Sequence, residues 1–412
     1  MPDLVVAGGG AAGFMAAITA AEAGLEQVEI WEATPEPLAK VRISGGGRCN
    51  LTHACWDPSE LVNNYPRGER PLRGPFSRFA TVDAVAWFSE RGVELQEEAD
   101  GRIFPVSNSS ATVVQALRRR ADAVGVEVHT KRPLQTVQNL NNGGFALRPR
   151  GLKETVDCSY LLLATGGHPS GRKLAQELGH RLVAPVPSLF TLRLEAPWLK
   201  DLAGVSQDLV PLELSVGTER FRQRGTVLIT HWGISGPAVL RLTAFAARAL
   251  HKHQYQAQLR IDWSAGVNFQ ILQDQVQQSR FDLARKKLAN GRPLLLQSLK
   301  RRLWLALLNQ ANLDLTMPWA QLSRQGEQRL IQAVQRSSYP VLGKGPIGEE
   351  FVTAGGVDLA EVDLSRMQSR KNPGLYFAGE ILDIDGVTGG FNFQHCWTSG
   401  WIAGQAIAAN CN

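Results

Sequence analysis

The segment from Leu4 to Glu32 constrains this chain most. Leu4-Val5-Val6-Ala7 is a short apolar run that reads as a buried strand, and Gly8-Gly9-Gly10-Ala11-Ala12-Gly13 follows with glycines at the G-x-G-x-x-G spacing. Small, helix-compatible residues then run from Ala11 to Ala23, Gly24 stops them, and a second apolar strand, Val28-Glu29-Ile30-Trp31, ends at Glu32. The pattern is a βαβ unit. Gly8 permits the tight turn, Gly10 lets the backbone approach a pyrophosphate, and Gly13 lets helix and strand pack closely. The helix N-terminus adds free N–H groups and partial positive charge. Glu32 stands at the end of the second strand, where a carboxylate accepts from ribose hydroxyls and repels a 2′-phosphate. The glycine spacing alone is weak evidence; strand, helix and acid together predict a dinucleotide site.

The rest of the composition narrows the class. A chain of 412 residues has room for two or three domains, and 44% hydrophobic with 20% charged residues suits an ordinary globular protein. No apolar run reaches the length of a membrane-spanning helix, and the hydrophobic start is already the first strand rather than a secretory signal, so a cytoplasmic location without membrane partners is expected. Five cysteines without C-x-x-C spacing read as free thiols, with no metal site expected. A net charge of +6 leaves room for a phosphorylated cofactor, an acidic substrate or RNA.

Farther along, Lys40-Val41-Arg42-Ile43-Ser44-Gly45-Gly46-Gly47-Arg48-Cys49-Asn50 places three glycines among cations. A tripled glycine has a large entropic cost, which predicts a backbone lying close against a planar or anionic ligand, with a solvated surface loop as the plainer alternative. Helices are expected over 81–91 and 110–124, a third parallel strand at 126–128, and a hairpin over 134–147 around Asn141-Asn142-Gly143-Gly144. Tyr160 to Leu163 is a further buried strand, and the turn Ala164-Thr165-Gly166-Gly167 at its carboxyl end faces the ligand crevice. From about Pro185 short alternating stretches predict antiparallel sheet, in the form of a small barrel. The segment His231 to Pro237 either reaches a ligand or is a packed turn. Residues 269–336 carry helical periodicity, and Lys286-Lys287 and Lys300-Arg301-Arg302 on them read as solvated faces, because no aromatic platform is interleaved. Val352 to Val357 reads as a turn, Gly374 to Glu380 as a final buried strand, and Gly389-Gly390 leads into a small-residue helix from Phe393 to Ala409.

The runs Ile43 to Asn50, Thr230 to Leu240, Thr353 to Val357 and Tyr376 to Gly404 resemble bacterial NAD(P)/FAD-dependent oxidoreductases, the Rossmann-type flavoproteins that include aminoacetone oxidase and bile-acid enoyl reductases. The match spans nearly the whole chain. It implies an α/β fold with a Rossmann-type FAD domain split between the termini (1–188 and 342–412), an inserted β-barrel-like domain (189–265 and 337–341), and a nested helical domain (266–336). Carried onto this chain, Glu32 holds the adenosine ribose, and the turn with Gly8, Gly10, Ala11, Ala12 and Gly13 holds the pyrophosphate. Lys40, Ser44, Gly45, Gly46, Gly47, Arg48, Cys49 and Asn50 line the flavin side. Ala164, Thr165, Gly166, Gly379, Glu380 and Asp385 approach the same cofactor, and Gly390, Phe391, Asn392, Phe393 and Gln394 set backbone N–H groups against the flavin pyrimidine edge. One departure stands out: His168-Pro169-Ser170-Gly171-Arg172 replaces the family's longer Gly/Ser/Thr-rich loop.

The chemistry expected is flavin-based. The leading reading is a reductase of a small conjugated or carbonyl substrate, with FAD as cofactor and NAD(P)H as a transient electron donor, since no second nucleotide fingerprint is present. An amine oxidase using oxygen and an RNA-acting flavoprotein are the alternatives; a nucleic-acid partner is not expected, because no appended RNA-binding module is visible. No catalytic acid or base stands out. Cys49, His231 and His395 read as packing or cofactor-contact residues.

Overall fold

A computed structural model describes residues 2–141, 143–345 and 352–410. The chain divides into two compact units, Met1–Val186 with Val352–Asn412, and Pro187–Phe351. In the first, β1 (Leu4–Ala7), α1 (Ala11–Glu22) and β2 (Val28–Trp31) form the expected βαβ element, followed by α2 (Ala39–Gly47). Strands β3 (Glu127–His129), β4 (Tyr160–Leu163) and β5 (Leu375–Phe377) complete a parallel sheet in the order β5-β4-β1-β2-β3, with the short strands Gln368–Ser369 and Val362–Asp363 added antiparallel at the β5 edge. Every residue of β1 is buried, as a strand covered on both faces requires.

Helix α1 is buried continuously from Ala11 to Ala20, which explains its alanines and glycine: it lies between the sheet and α3 (Phe391–Ala408), so no face is left for polar groups. Two glycines inside α3 each cost about 0.5–1 kcal/mol of helix stability relative to alanine. Packing requires them. A Cβ on Gly400 would stand 2.5 Å from the Ala12 carbonyl oxygen, and one on Gly404 2.5 Å from that of Ala16. The four-residue step on both helices makes them parallel. By that register α3 begins several residues, on the order of 10 Å, ahead of the start of α1.

Val352–Val357, expected as a turn, is a strand that pairs with the one beginning at Leu182. Its glycines serve close backbone approach, since a Cβ on Gly355 would lie 2.6 Å from Ala184 O. The hairpin forms between Leu134–Asn139 and Phe145–Pro149, while Asn142 in its turn lies outside the described residues. The helix Pro169–Glu177 starts directly after Gly167, with His168 accepting from the Ser170 N–H at its cap.

The second unit is a closed six-stranded antiparallel barrel: Leu192–Leu194, Gly233–Ser235, Glu219–Thr230, Ser206–Val216, Ala257–Ile261 and Ser337–Lys344, in spatial order. Helices Pro237–Lys252, Phe269–Asp282, Arg301–Gln310 and Arg324–Gln335 accompany it. Barrel residues such as Leu212 and Leu259 and helical residues such as Trp304, Trp319 and Leu330 belong to one buried cluster, so barrel and helical segment share a core. Among the described residues no helix is long and apolar enough to cross a membrane.

Candidate functional site

The carboxyl ends of β1, β2, β4 and β5 collect most of the residues singled out in the sequence. Gly8 turns the chain at φ +116°, and a Cβ there would stand 2.4 Å from the Ala164 carbonyl oxygen of the neighbouring strand end. A Cβ on Gly13 would sit 2.0 Å from Gly8 O, whereas one on Gly10 would meet nothing. Packing therefore dictates two of the fingerprint glycines, and open space lies beside the third. Within the described residues no acceptor reaches the N–H groups of Gly10, Ala11 or Gly13, while Phe14 N–H already closes the first helical bond to Gly10 O at 3.0 Å.

Glu32 folds over this turn. Its Oε2 accepts from Gly9 N–H at 2.8 Å, and its Oε1 accepts from both the N–H and hydroxyl of Thr34 at 2.8 Å. A carboxylate has about four acceptor sites, so one or so remains for a ligand.

In α2 the backbone leaves helical geometry at Ser44, and Gly45, Gly46 and Gly47 follow in left-handed conformation at φ +57°, +69° and +86°. Cys49 is left-handed as well. A Cβ on Gly45 would be 2.9 Å from Asn50 N and from the Phe104 ring, but Gly46 and Gly47 face open space. Lys40 reaches across 340 positions to Glu380 at 2.6 Å, and Gly166 lies beside that ion pair with Gly167 next along the turn.

Helix α3 starts from Gly390, at φ +98° and capped by no side chain of its own. With its amide oriented to satisfy both neighbours, Asn50 accepts from Gly390 N–H and donates to Thr52 O, each at 3.0 Å. Gln394 N–H is used within the helix, at 3.0 Å from Gly390 O. Of the five N–H groups expected to face a ligand, two are thus engaged. Those of Phe391, Asn392 and Phe393 have no acceptor among the described residues. Two helix N-termini with unmet N–H groups, one advanced beyond the other, suit a ligand carrying negative charge at two separated points.

Several residues of the expected cofactor set have side chains partnered within the protein. Asp385 is fully buried and its carboxylate is held by Arg67. Arg48 binds Glu98 at 2.7 Å and lies 4.0 Å over the Phe104 ring. Gln394 joins Thr52 and Thr398, and Asn392 spans the loop to Gly386. Around the start of α3 the structure adds residues that sequence reading passed over: Tyr65, whose hydroxyl donates to Phe391 O at 2.6 Å, His53, stacked on the Phe391 ring, and Ser399, which accepts from Gly379 N–H. Their local sequence carries no signal. For Arg67 there is a signal, since a buried Asp385 needs a cationic partner, but that requirement does not say which arginine supplies it.

Two buried thiols and one buried histidine here are neutral at neutral pH. Burial pushes the Cys49 and Cys396 thiols up to about 12. It pulls His395 down to about 4, with Nε2 3.3 Å from Gly379 O. None of the three is an acid or base poised near pH 7. His231 lies exposed in the second unit. Among the described residues one set, Glu29, Glu127 and His129, brings possible metal-ligand atoms within 4.8 Å of one another; it sits at β2 and β3 and pairs internally.

The two units differ in charge. Pro187–Phe351 holds 21 basic against 12 acidic side chains, a net +9, and the rest of the chain 23 against 26, a net −3.

Comparison with known proteins matches residues 2–406 to the family described as HI0933-like protein Rossmann domain. The chain is 29% identical over 428 residues to the ribosomal RNA dihydrouridine synthase of Escherichia coli K12, covering 99% of this chain and 98% of that protein. It is also 29% identical over 420 residues to the 3-dehydro-bile acid delta(4,6)-reductase of Clostridium scindens, covering 99% of each. Among solved structures, the 3-ketosteroid-delta4-(5alpha)-dehydrogenase of Rhodococcus jostii RHA1 is similar in fold, with a TM-score of 0.51 at 17% identity, covering 98% of this chain and 96% of that one. The chain belongs to the HI0933-like Rossmann family and is an FAD-dependent oxidoreductase.

Proposed function

We propose that this protein reduces a carbon–carbon double bond conjugated to a carbonyl, and that the bond is that of a uracil base in RNA. The observation that carries the substrate class is the partition of charge: a net +9 concentrated in Pro187–Phe351 favours a polyanion over a neutral small molecule. The relatives support the reaction class. One is named for making dihydrouridine in ribosomal RNA and one for reducing a delta(4,6) bile acid, and both names describe saturation of a double bond in conjugation with a carbonyl.

Bound FAD supplies the two-electron chemistry, with NAD(P)H as donor. In this reading Glu32 accepts from the adenosine ribose, and the N–H groups at the start of α1 take the pyrophosphate. Lys40, Ser44 to Gly47, Cys49 and Asn50 lie along the flavin side, with Ala164, Thr165, Gly166, Gly379 and Glu380 toward the ribityl chain. The N–H groups of Phe391 to Phe393 stabilise negative charge on the flavin pyrimidine edge. Arg48, Asp385 and Gln394 hold these elements in place.

A second reading, reduction of a small enone, is favoured by the similarity to the bile-acid reductase over 99% of the chain. Anaerobic mixing separates the two. NADH or NADPH should bleach the flavin, and unmodified ribosomal RNA transcripts should restore its colour with dihydrouridine appearing in the RNA. Colour restored by a steroid enone and not by RNA would select the second reading. Failure of both nicotinamides to bleach the flavin would remove the proposed donor.

A further inference from the structure

We infer that the outer face of the barrel carries a phosphate-tracking arginine ladder that holds the backbone of an RNA strand. The inference rests on the proposed RNA substrate and assigns where its phosphates bind. Along strand Glu219–Thr230 the side chains alternate, and Arg220, Arg222 and Arg224 all point outward while Val227 and Ile229 enter the core. Residues two apart on one strand face are spaced by about 7 Å, comparable with successive phosphates on an extended nucleic-acid strand.

The barrel register brings in a fourth arginine. Arg222 lies opposite Glu213 on the neighbouring strand, and Glu213 lies opposite Arg260 on the next, so a single carboxylate sits between two arginines in one cross-strand row. Arg222 bonds Glu213 at 2.6 Å yet keeps 71% of its side chain exposed. The Arg222 bond, with Arg260 and Arg220 also nearby, holds the Glu213 carboxyl below its usual range. Among the described residues no carboxylate pairs directly with Arg220 or Arg260. Arg224 donates to the carbonyl oxygens of Leu209 and Ala265, which leaves its charge uncompensated.

Arg222, Arg224 and Arg260 line an open groove of about 480 Å³ together with Pro211, Leu212, Glu213, Gln223 and Asp262. Asp262 is turned to its own loop, accepting from the N–H and hydroxyl of Ser264. Against four guanidinium groups the face sets Glu213 in the row and Asp262 in the groove, with Asp208 farther along, where it accepts from the Thr226 hydroxyl at 2.8 Å. Planar guanidinium forks suit phosphate oxygens better than they suit isolated carboxylates on a flexible partner, and phosphate contacts need no stacking platform. Phe221, between Arg220 and Arg222, packs against the core, so it is not offered as a stacking platform, and backbone tracking needs none.

The test uses the full FAD-loaded protein and a fluorescently labelled 20-nucleotide oligouridylate, with binding followed by anisotropy from 50 to 200 mM KCl. The wild type should bind with a steep salt dependence. The variant R220Q/R222Q/R260Q should bind at least about tenfold more weakly at 100 mM salt, with the slope of log affinity against log salt reduced by about 2, at roughly 0.7 per phosphate contact on a single strand. A control that removes three charges elsewhere in the same unit, R285Q/K286Q/K287Q, should change affinity far less. FAD content and the rate of flavin bleaching by NAD(P)H report that each variant is folded.

Equal losses in the two triple variants would mean diffuse charge and overturn the ladder. So would an unchanged slope in the first variant, no binding by the wild type, or tighter binding of polyglutamate of matched charge than of the oligonucleotide. If the arginines prove necessary for binding but RNA does not reoxidise the reduced flavin, the docking face stands and the uracil reading falls.

Discussion

The interface between α1 and α3 and the loop Gly45–Gly47 are both built from glycine, for opposite reasons. At Gly400 and Gly404 a side chain is excluded by backbone oxygen 2.5 Å away, so the protein itself fills the space. At Gly46 and Gly47 the backbone is left-handed and no protein atom stands within 4 Å of where a Cβ would be. The first kind of glycine stabilises the fold whether or not a cofactor is present. The second serves a left-handed turn and leaves room beside the backbone, which the proposed flavin contact would use. The same residue type thus meets two different needs, close backbone packing in one place and a left-handed turn beside open space in the other.

The largest effect expected from breaking this contrast is at the interface. Gly400→Leu must push α3 off α1, and overpacking against backbone belongs to the severe class of substitutions, about 4 kcal/mol or more. Thermal unfolding of the apoprotein should show a large drop in Tm; an unchanged midpoint would mean that the helices do not pack at the observed separation.

Next comes the buried His395 at the start of the same helix. Its folded pKa of about 4 lies below the unfolded value of 6.5, so the unfolded state binds the proton first. The stability this neutral histidine preserves is complete above pH 6.5 and is lost as pH falls from there toward 4, to an extent of about 3 kcal/mol. Denaturant melts between pH 7 and pH 4 should lose that dependence in His395→Gln. An identical pH profile in the variant would place the titration elsewhere.

Glu32 tests whether side chains matter beside the glycine turn. Glu32→Ala removes a charge-assisted acceptor and should weaken FAD by about 1.5–3 kcal/mol, roughly 10- to 150-fold, with Glu32→Gln in between because its amide oxygen retains one bond. Equal FAD dissociation constants for wild type and both variants would remove Glu32 from the ribose.

The smallest change in stability is expected in the loop. Gly46→Ala places a Cβ in open space at φ +69°, so only left-handed strain of about 1–2 kcal/mol should appear in the apoprotein. The loss of FAD affinity should exceed the loss of stability. If the two fall by the same amount, the loop is strained scaffold and the contrast with Gly400 disappears.

Much of this was legible in the sequence where the signal is local. Gly8, Gly10 and Gly13 declare a strand–turn–helix within six residues, and Leu192 to Thr230 declares antiparallel strands by alternation. The Val352–Val357 strand was not legible, because two adjacent glycines look the same in a turn and in a strand pressed against another backbone. The charge partition was invisible until the unit boundaries were known. Lys286, Lys287 and Lys300 to Arg302 attract notice as runs, while Arg220, Arg222 and Arg224 are interrupted by Phe221 and Gln223 and become a ladder only when the strand alternates.

The sequence by itself determined a dinucleotide fingerprint from Leu4 to Glu32, a tripled glycine at Gly45 to Gly47, and a barrel inserted between the strands of the parallel sheet. These follow from backbone sterics and hydrophobic period, which act over a few residues. Only the tertiary structure decided that Lys40 meets Glu380, that Arg67 satisfies Asp385, that α3 starts ahead of α1, and that Cys49, Cys396 and His395 are neutral. Such pairings join positions hundreds of residues apart, and burial sets their charge states; neither is encoded in any short stretch of chain.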